Sequence, residues 1–129
     1  MRFLFLLPLL VGCGQTDATR LQQTLDEYAS LSARAGSLGT VLTGEALASA
    51  NKSAELLENL GITQTGQAKF DVMAAADGIG QGCLDLSDVE LLNTNGELIV
   101  PSRPDRVEFE AGYGPNFLIS SLIITEQKC

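Results

Sequence analysis

Few side chains in this 129-residue chain can carry chemistry, and three of them are cysteines, Cys13, Cys83 and Cys129. Their separation excludes any CxxC metal or redox motif. Histidine is absent, so the commonest general base and metal ligand is missing, and triads and zinc sites lack their usual parts. No metal or cofactor is expected. The candidates for acid–base work are Asp85, Glu90, Tyr28 and Tyr113, because a pocket carboxyl raised in pKa by burial could act as a base. Each also has a plainer reading. Asp85 and Glu90 fit the solvated face of a strand, Tyr28 an apolar helix stripe, and Tyr113 a turn. Arg103-Pro104-Asp105-Arg106 offers two guanidinium groups that could hold a carboxylate or phosphate. Equally, Pro104 breaks a strand while the arginines pair with Asp105, Glu108 or Glu110.

Sixteen acidic residues against eight basic ones give a formal charge of −8. Tracking a phosphate backbone needs a basic stripe that releases counterions, so nucleic acid is not expected as a partner.

The N-terminus carries Arg2 and then an apolar run over residues 3–11, ending in Gly12 and Cys13. That run is shorter than the roughly 20 residues a bilayer core of about 30 Å demands. A basic start, a short apolar stretch and small residues at its end describe an export signal. Leu10-Val11-Gly12-Cys13 resembles the lipobox of bacterial lipoproteins. The resemblance implies that residues 1–12 are a signal peptide cleaved before Cys13. It also implies that the Cys13 thiol carries a diacylglycerol thioether and its amino group a further acyl chain such as palmitate. Two or three chains would anchor the protein firmly at the extracytoplasmic face of the cell membrane. Residues 13–17 would then be a short lipidated tether, and residues 18–129 one domain beside the bilayer. The other reading is an ordinary secretory signal with an incidental cysteine.

With Cys13 assigned to lipid, Cys83 and Cys129 remain. In an oxidising compartment two leftover cysteines are expected to pair; the alternative is two free, buried thiols.

The elements that position these residues follow from periodicity. Residues 18–35 read as a helix with Leu21, Leu25, Tyr28 and Leu31 or Ser32 on one face, stopped at Gly36. A short turn over 37–42 precedes a second helix opened by Thr43 or Gly44. Leu47, Ala50, Ala54, Leu57 and Leu60 form its apolar stripe, and Gly61 suits an αL cap with Ile62 folding back. After Gly66 the period becomes two. Phe70, Val72 and Ala74 alternate, residues 77–80 turn, and residues 83–92 alternate again as one strand. Asn95-Gly96 marks a hairpin into 97–100, and residues 101–105 break the sheet. Val107, Phe109 and Ala111 then share a face, and residues 117–125, apolar on both faces, read as a central strand. Helices followed by a meander give an α+β fold, with N-terminal helices packed on a curved antiparallel sheet.

Residues 42–47, 61–66, 83–87 and 103–106, with the terminal cysteine, resemble small actinobacterial lipoproteins and secreted proteins with a nuclear-transport-factor-2-like domain. This resemblance implies a cystatin-like cone over residues 18–129, in which Cys83 and Cys129 would correspond to the paired cysteines. Its short signal and compact length would also suit a phage- or prophage-encoded lipoprotein, one version of which blocks superinfection. The function expected is a non-enzymatic binding module at the cell envelope, with an envelope protein as partner. The alternative is an isomerase- or dehydratase-like enzyme using the cone cavity. A homodimer through the apolar strand at 117–124 is a further expectation.

Overall fold

The computed structural model describes residues 16–129, so Cys13 and its lipobox lie outside the described residues. The first helix, α1, covers Asp17–Ala33. Thr16 caps it, its hydroxyl accepting the Thr19 N–H at 3.1 Å, and Asp17 complements the positive end of the dipole. Leu21, Leu25 and Ala29 are buried, while Tyr28 and Leu31 pack at the margin of the core. The stop comes one residue before the expected glycine. Ala35 takes the left-handed conformation (φ 54°), and the Gly36 N–H reaches back to the Leu31 carbonyl at 2.7 Å.

A 3-10 turn at Leu38–Thr40 leads to the second helix, α2, at Gly44–Asn59. Gly61 caps it at φ 69°, and the Ile62 N–H bonds the Leu57 carbonyl at 2.9 Å, which is the fold-back the sequence suggests. The apolar stripe behaves differently. The buried residue of the helix is Ala46, outside that stripe; of the stripe, Leu47 and Ala50 pack against the core, and Leu60 is 59% exposed. Most of this helix face stands clear of the core.

The main sheet has four antiparallel strands in the order β2-β3-β6-β7: Lys69–Ala76, Ile79–Asp85, Arg106–Tyr113 and Ile119–Lys128. A smaller sheet pairs β1 (Thr63–Thr65), β4 (Glu90–Leu92) and β5 (Leu98–Ile99) in the order β1-β4-β5. The class is therefore α+β. Asp77 and Gly78, both at positive φ, make a two-residue hairpin turn whose twist matches the flanking strands. Strand β3 begins directly after it, so Gly80 lies in a strand. Phe70 and Val72 face inward as expected. A register shift between Val72 and Ala74 then switches the inward position, leaving Ala74 exposed and Ala75 against the core.

The expected strand over 83–92 is two strands in two sheets. Asp85 Oδ1 accepts the Ser87 N–H at 2.9 Å and its hydroxyl at 2.7 Å, and the Leu86 N–H turns to the Asp105 carbonyl at 2.7 Å. Alternation ran through this bend because each half is a strand in its own right. The Asn95-Gly96 hairpin forms between β4 and β5, with Asn93 Oδ1 accepting the N–H groups of Asn95 and Glu97 at 2.9 Å each. Val107, Phe109 and Ala111 of β6 are all buried.

Strand β7 pairs with β6 alone in the main sheet, so the residues read as central lie at an edge. Ile123 and Ile124 are accordingly 55% and 48% exposed. One core cluster joins α1, the residues entering α2 and the inner face of the main sheet. Among the described residues, no helix is long and apolar enough to cross a membrane.

Candidate binding groove

Because α2 touches the core chiefly through its first turns, a gap opens along the rest of it. The gap is an open groove of about 970 Å³. Leu122 and Ile124 of β7 form its floor and Leu47, Ala50 and Leu57 of α2 one wall, with Tyr28 of α1 and Ile62 also in the lining. Serines 32, 37, 49 and 53 interrupt the apolar surface with hydroxyl groups. The carboxylate in the lining is Glu58, which is exposed. No polar or charged residue is buried among the described residues.

Tyr28 is the candidate that the structure brings into the groove. Its ring lies 6.0 Å from Phe70, which in turn meets Phe109 edge-on at 5.1 Å. This aromatic row fixes the phenol at the mouth of the core, and burial pushes its pKa above 10.0. A phenol held neutral there is a hydrogen-bond donor or acceptor within an apolar wall.

The other candidates lie elsewhere. Asp85 organises the bend after β3, and its hydrogen bonds from the Ser87 hydroxyl and N–H hold its carboxyl below the usual range. Glu90 is exposed on β4, opposite Thr65. The Tyr113 hydroxyl donates to Asp17 Oδ2 at 2.9 Å, and its ring stacks on Phe117 at 5.1 Å. Arg20 covers the same Phe117 ring at 4.5 Å. Tyr113 therefore docks α1 on the sheet.

Arg106 approaches Asp71 of β2 at 4.0 Å, whereas the sequence pointed to Asp105, Glu108 or Glu110. Residues 103–105 do interrupt the strands. Cys83 and Cys129 are disulfide-bonded across a separation of 46 residues. Among the described residues, no group of three or more metal-ligating side chains is assembled.

One residue that matters was invisible in the sequence. Gln22 sits beside the apolar stripe of α1, where polarity alone reads as solvent-facing. Its amide nitrogen donates to the Phe70 carbonyl at 2.7 Å, and its oxygen accepts the Val72 N–H at 2.8 Å. No local signal names a partner so far along the chain.

No protein-family model matches the chain, and no curated protein matches it. Among solved structures, the intermembrane-space region of the chloroplast protein ARC6 is similar in fold. The TM-score is 0.59 at 16% identity, covering 88% of this chain and 100% of that one. At that identity the likeness concerns fold alone, and it agrees with the α+β class.

Proposed function

We propose that this protein is an exported lipoprotein, anchored through Cys13 at the extracytoplasmic face of the membrane, whose α+β domain is a non-enzymatic binding module. Its fold in this reading is a cystatin-like or nuclear-transport-factor-2-like cone, and its partner an envelope protein. The observation that carries the binding role is the groove of about 970 Å³ between α2 and β7. A half-apolar cleft with scattered hydroxyl groups suits recognition of an apolar segment. Of Tyr28, Asp85, Glu90 and Tyr113, Tyr28 alone lines the groove, which favours binding over acid–base catalysis, whose groups must lie within reach of one reacting atom. The anchor rests on the residues from Leu10 to Cys13.

Two measurements test the two halves. Intact mass of protein made in a bacterial host should fit residues 13–129 plus acyl chains, less two hydrogens for the disulfide. Cys13→Ala should lose the acyl mass. An unmodified Cys13 would sink the anchor. For the groove, a photo-crosslinking residue at Ala54 should capture an identifiable envelope protein, and Ala50→Trp, which fills the cleft, should abolish that adduct. The same residue placed at Glu108 on the outer sheet face is the comparison. Equal adducts from both positions would remove the groove from the function.

A further inference from the structure

The first residues of α1 pack against one end of the main sheet. Asp17 holds the Tyr113 hydroxyl, Arg20 lies over the Phe117 ring, and the Tyr113 N–H reaches the Gly78 carbonyl at 2.9 Å. One tip of the molecule therefore gathers the start of α1, the Asp77-Gly78 turn and the connection between β6 and β7. Ile79 opens β3 beside that turn, opposite Gly112, and is 51% exposed. Gly114, Pro115 and Asn116 are exposed as well. The opposite end of the sheet is the row Lys69, Asp85 and Arg106, about 20 Å away along β3. The small sheet hangs from that far end, tied by the ion pair of Lys69 with Asp88 at 2.9 Å.

Given the Cys13 anchor, on which this rests, we propose that the tip lies against the lipid headgroups and the small sheet stands farthest from the bilayer. Three peptide units separate Cys13 from Thr16, a reach of at most about 11 Å. The headgroup layer takes roughly 5–8 Å of that reach. With the acyl chains of Cys13 in the hydrocarbon, Thr16 and the groups packed around Asp17 cannot stand clear of the surface. Charge then selects which face turns down. Lying on α1 would press the exposed Asp26 and Glu27 against lipid. Lying on the outer sheet face would do the same to Asp71 and Glu108, which flank Cys83 in register. Each carboxylate would lose water without gaining a partner. The tip instead offers Ile79, Pro115 and the half-buried rings of Tyr113 and Phe117, residue types suited to the interface. Asp17 and Asp77 share this end with the exposed Arg20, and Asp17 already holds the Tyr113 hydroxyl.

The chain has no tryptophan, so an introduced one reports on its own position. Ile79→Trp, Pro115→Trp and Val100→Trp are made in the full chain, and intact mass establishes acylation of each. Val100, 80% exposed, follows β5 of the small sheet and serves as the far position. The proteins are placed in phosphatidylcholine vesicles, with or without a nitroxide on the lipid headgroup. Ile79→Trp and Pro115→Trp should lose fluorescence when the nitroxide is present, and Val100→Trp should keep it. Pro115→Trp decides alone should tryptophan at Ile79 not fold. In acylated protein, a loss no greater at the tip than at Val100 would overturn the seating and leave the anchor standing. An unmodified Cys13 would remove both.

Discussion

Gln22 completes β2, the other edge of the main sheet, as a neighbouring strand would. Its amide presents one donor and one acceptor to Phe70 and Val72, the pattern a peptide unit offers. Gln22→Glu tests this, because the shapes match and the chemistry does not. At neutral pH a carboxylate can still accept from Val72 but opposes both the Phe70 carbonyl and the Asp26 carboxylate, to which Gln22 Nε2 also donates at 2.8 Å, at a cost of about 1–3 kcal/mol. Once protonated it donates to that carbonyl again, so its folded pKa is raised. The lost stability should return on acidification towards about pH 4 and disappear again as pH rises. Denaturant titration across that range reads the effect, and a variant equally stable throughout would refute it. Asp85 has the opposite sign. Hydrogen bonds from Ser87 lower its pKa from 3.8, so its contribution is present above that value and is lost as pH falls through the lowered one. In Ser87→Ala, where the hydroxyl bond is gone, carboxyl NMR should place the Asp85 titration nearer its ordinary value. No movement would mean that the backbone N–H alone sets it.

At the scale of elements, the two helix ends show what a sequence reveals and what it hides. Gly61 was legible as a left-handed cap because glycine adopts that conformation without steric cost. At the end of α1 the glycine misled by one position. Ala35 occupies the left-handed site at φ 54°, and Gly36 supplies the N–H to Leu31. An alanine pays roughly 1–2 kcal/mol in that conformation. Glycine is freer in the unfolded chain, which offsets part of the gain. Ala35→Gly should therefore raise stability by about 1 kcal/mol, read as a higher denaturant midpoint at unchanged slope. A lower midpoint would mean the helix ends elsewhere in solution. The same logic covers the strands. Period two located β2 and β6, because burial on one face imposes it. The register shift after Val72 and the Asp85 bend were hidden, since both depend on partners distant in sequence. The apolar stripe of α2 and the apolar run of β7 were visible as patterns. Periodicity says which face is apolar and is silent on what covers it, so two stretches read as core form a groove wall and a sheet edge.

For the whole molecule, the disulfide joins the groove, the free edge and the stability of the sheet. Cys83 lies on β3, opposite Glu108 of β6, and the Cys129 N–H donates to the Arg106 carbonyl of β6 at 3.2 Å. The bond thus crosses β6 and ties the end of β7 to an interior strand. That end needs it. The register between β6 and β7 shifts after Ile124, and a terminal strand segment with one neighbour otherwise frays. The loop it closes, with a separation of 46 residues, should stabilise the fold by about 4 kcal/mol if restriction of the unfolded chain dominates. The paired variant Cys83→Ser, Cys129→Ser should lower unfolding stability by that amount. Hydrogen exchange should then divide the molecule. Amides of Leu21 and Leu25 in α1, whose side chains are fully buried, should weaken only with global stability. Those of residues 124–128 should open first and to a greater extent, loosening the groove floor at Ile124. Uniform loss of protection would assign the whole effect to the unfolded chain, and an unchanged midpoint would show that the strand pairing holds β7 without the bond.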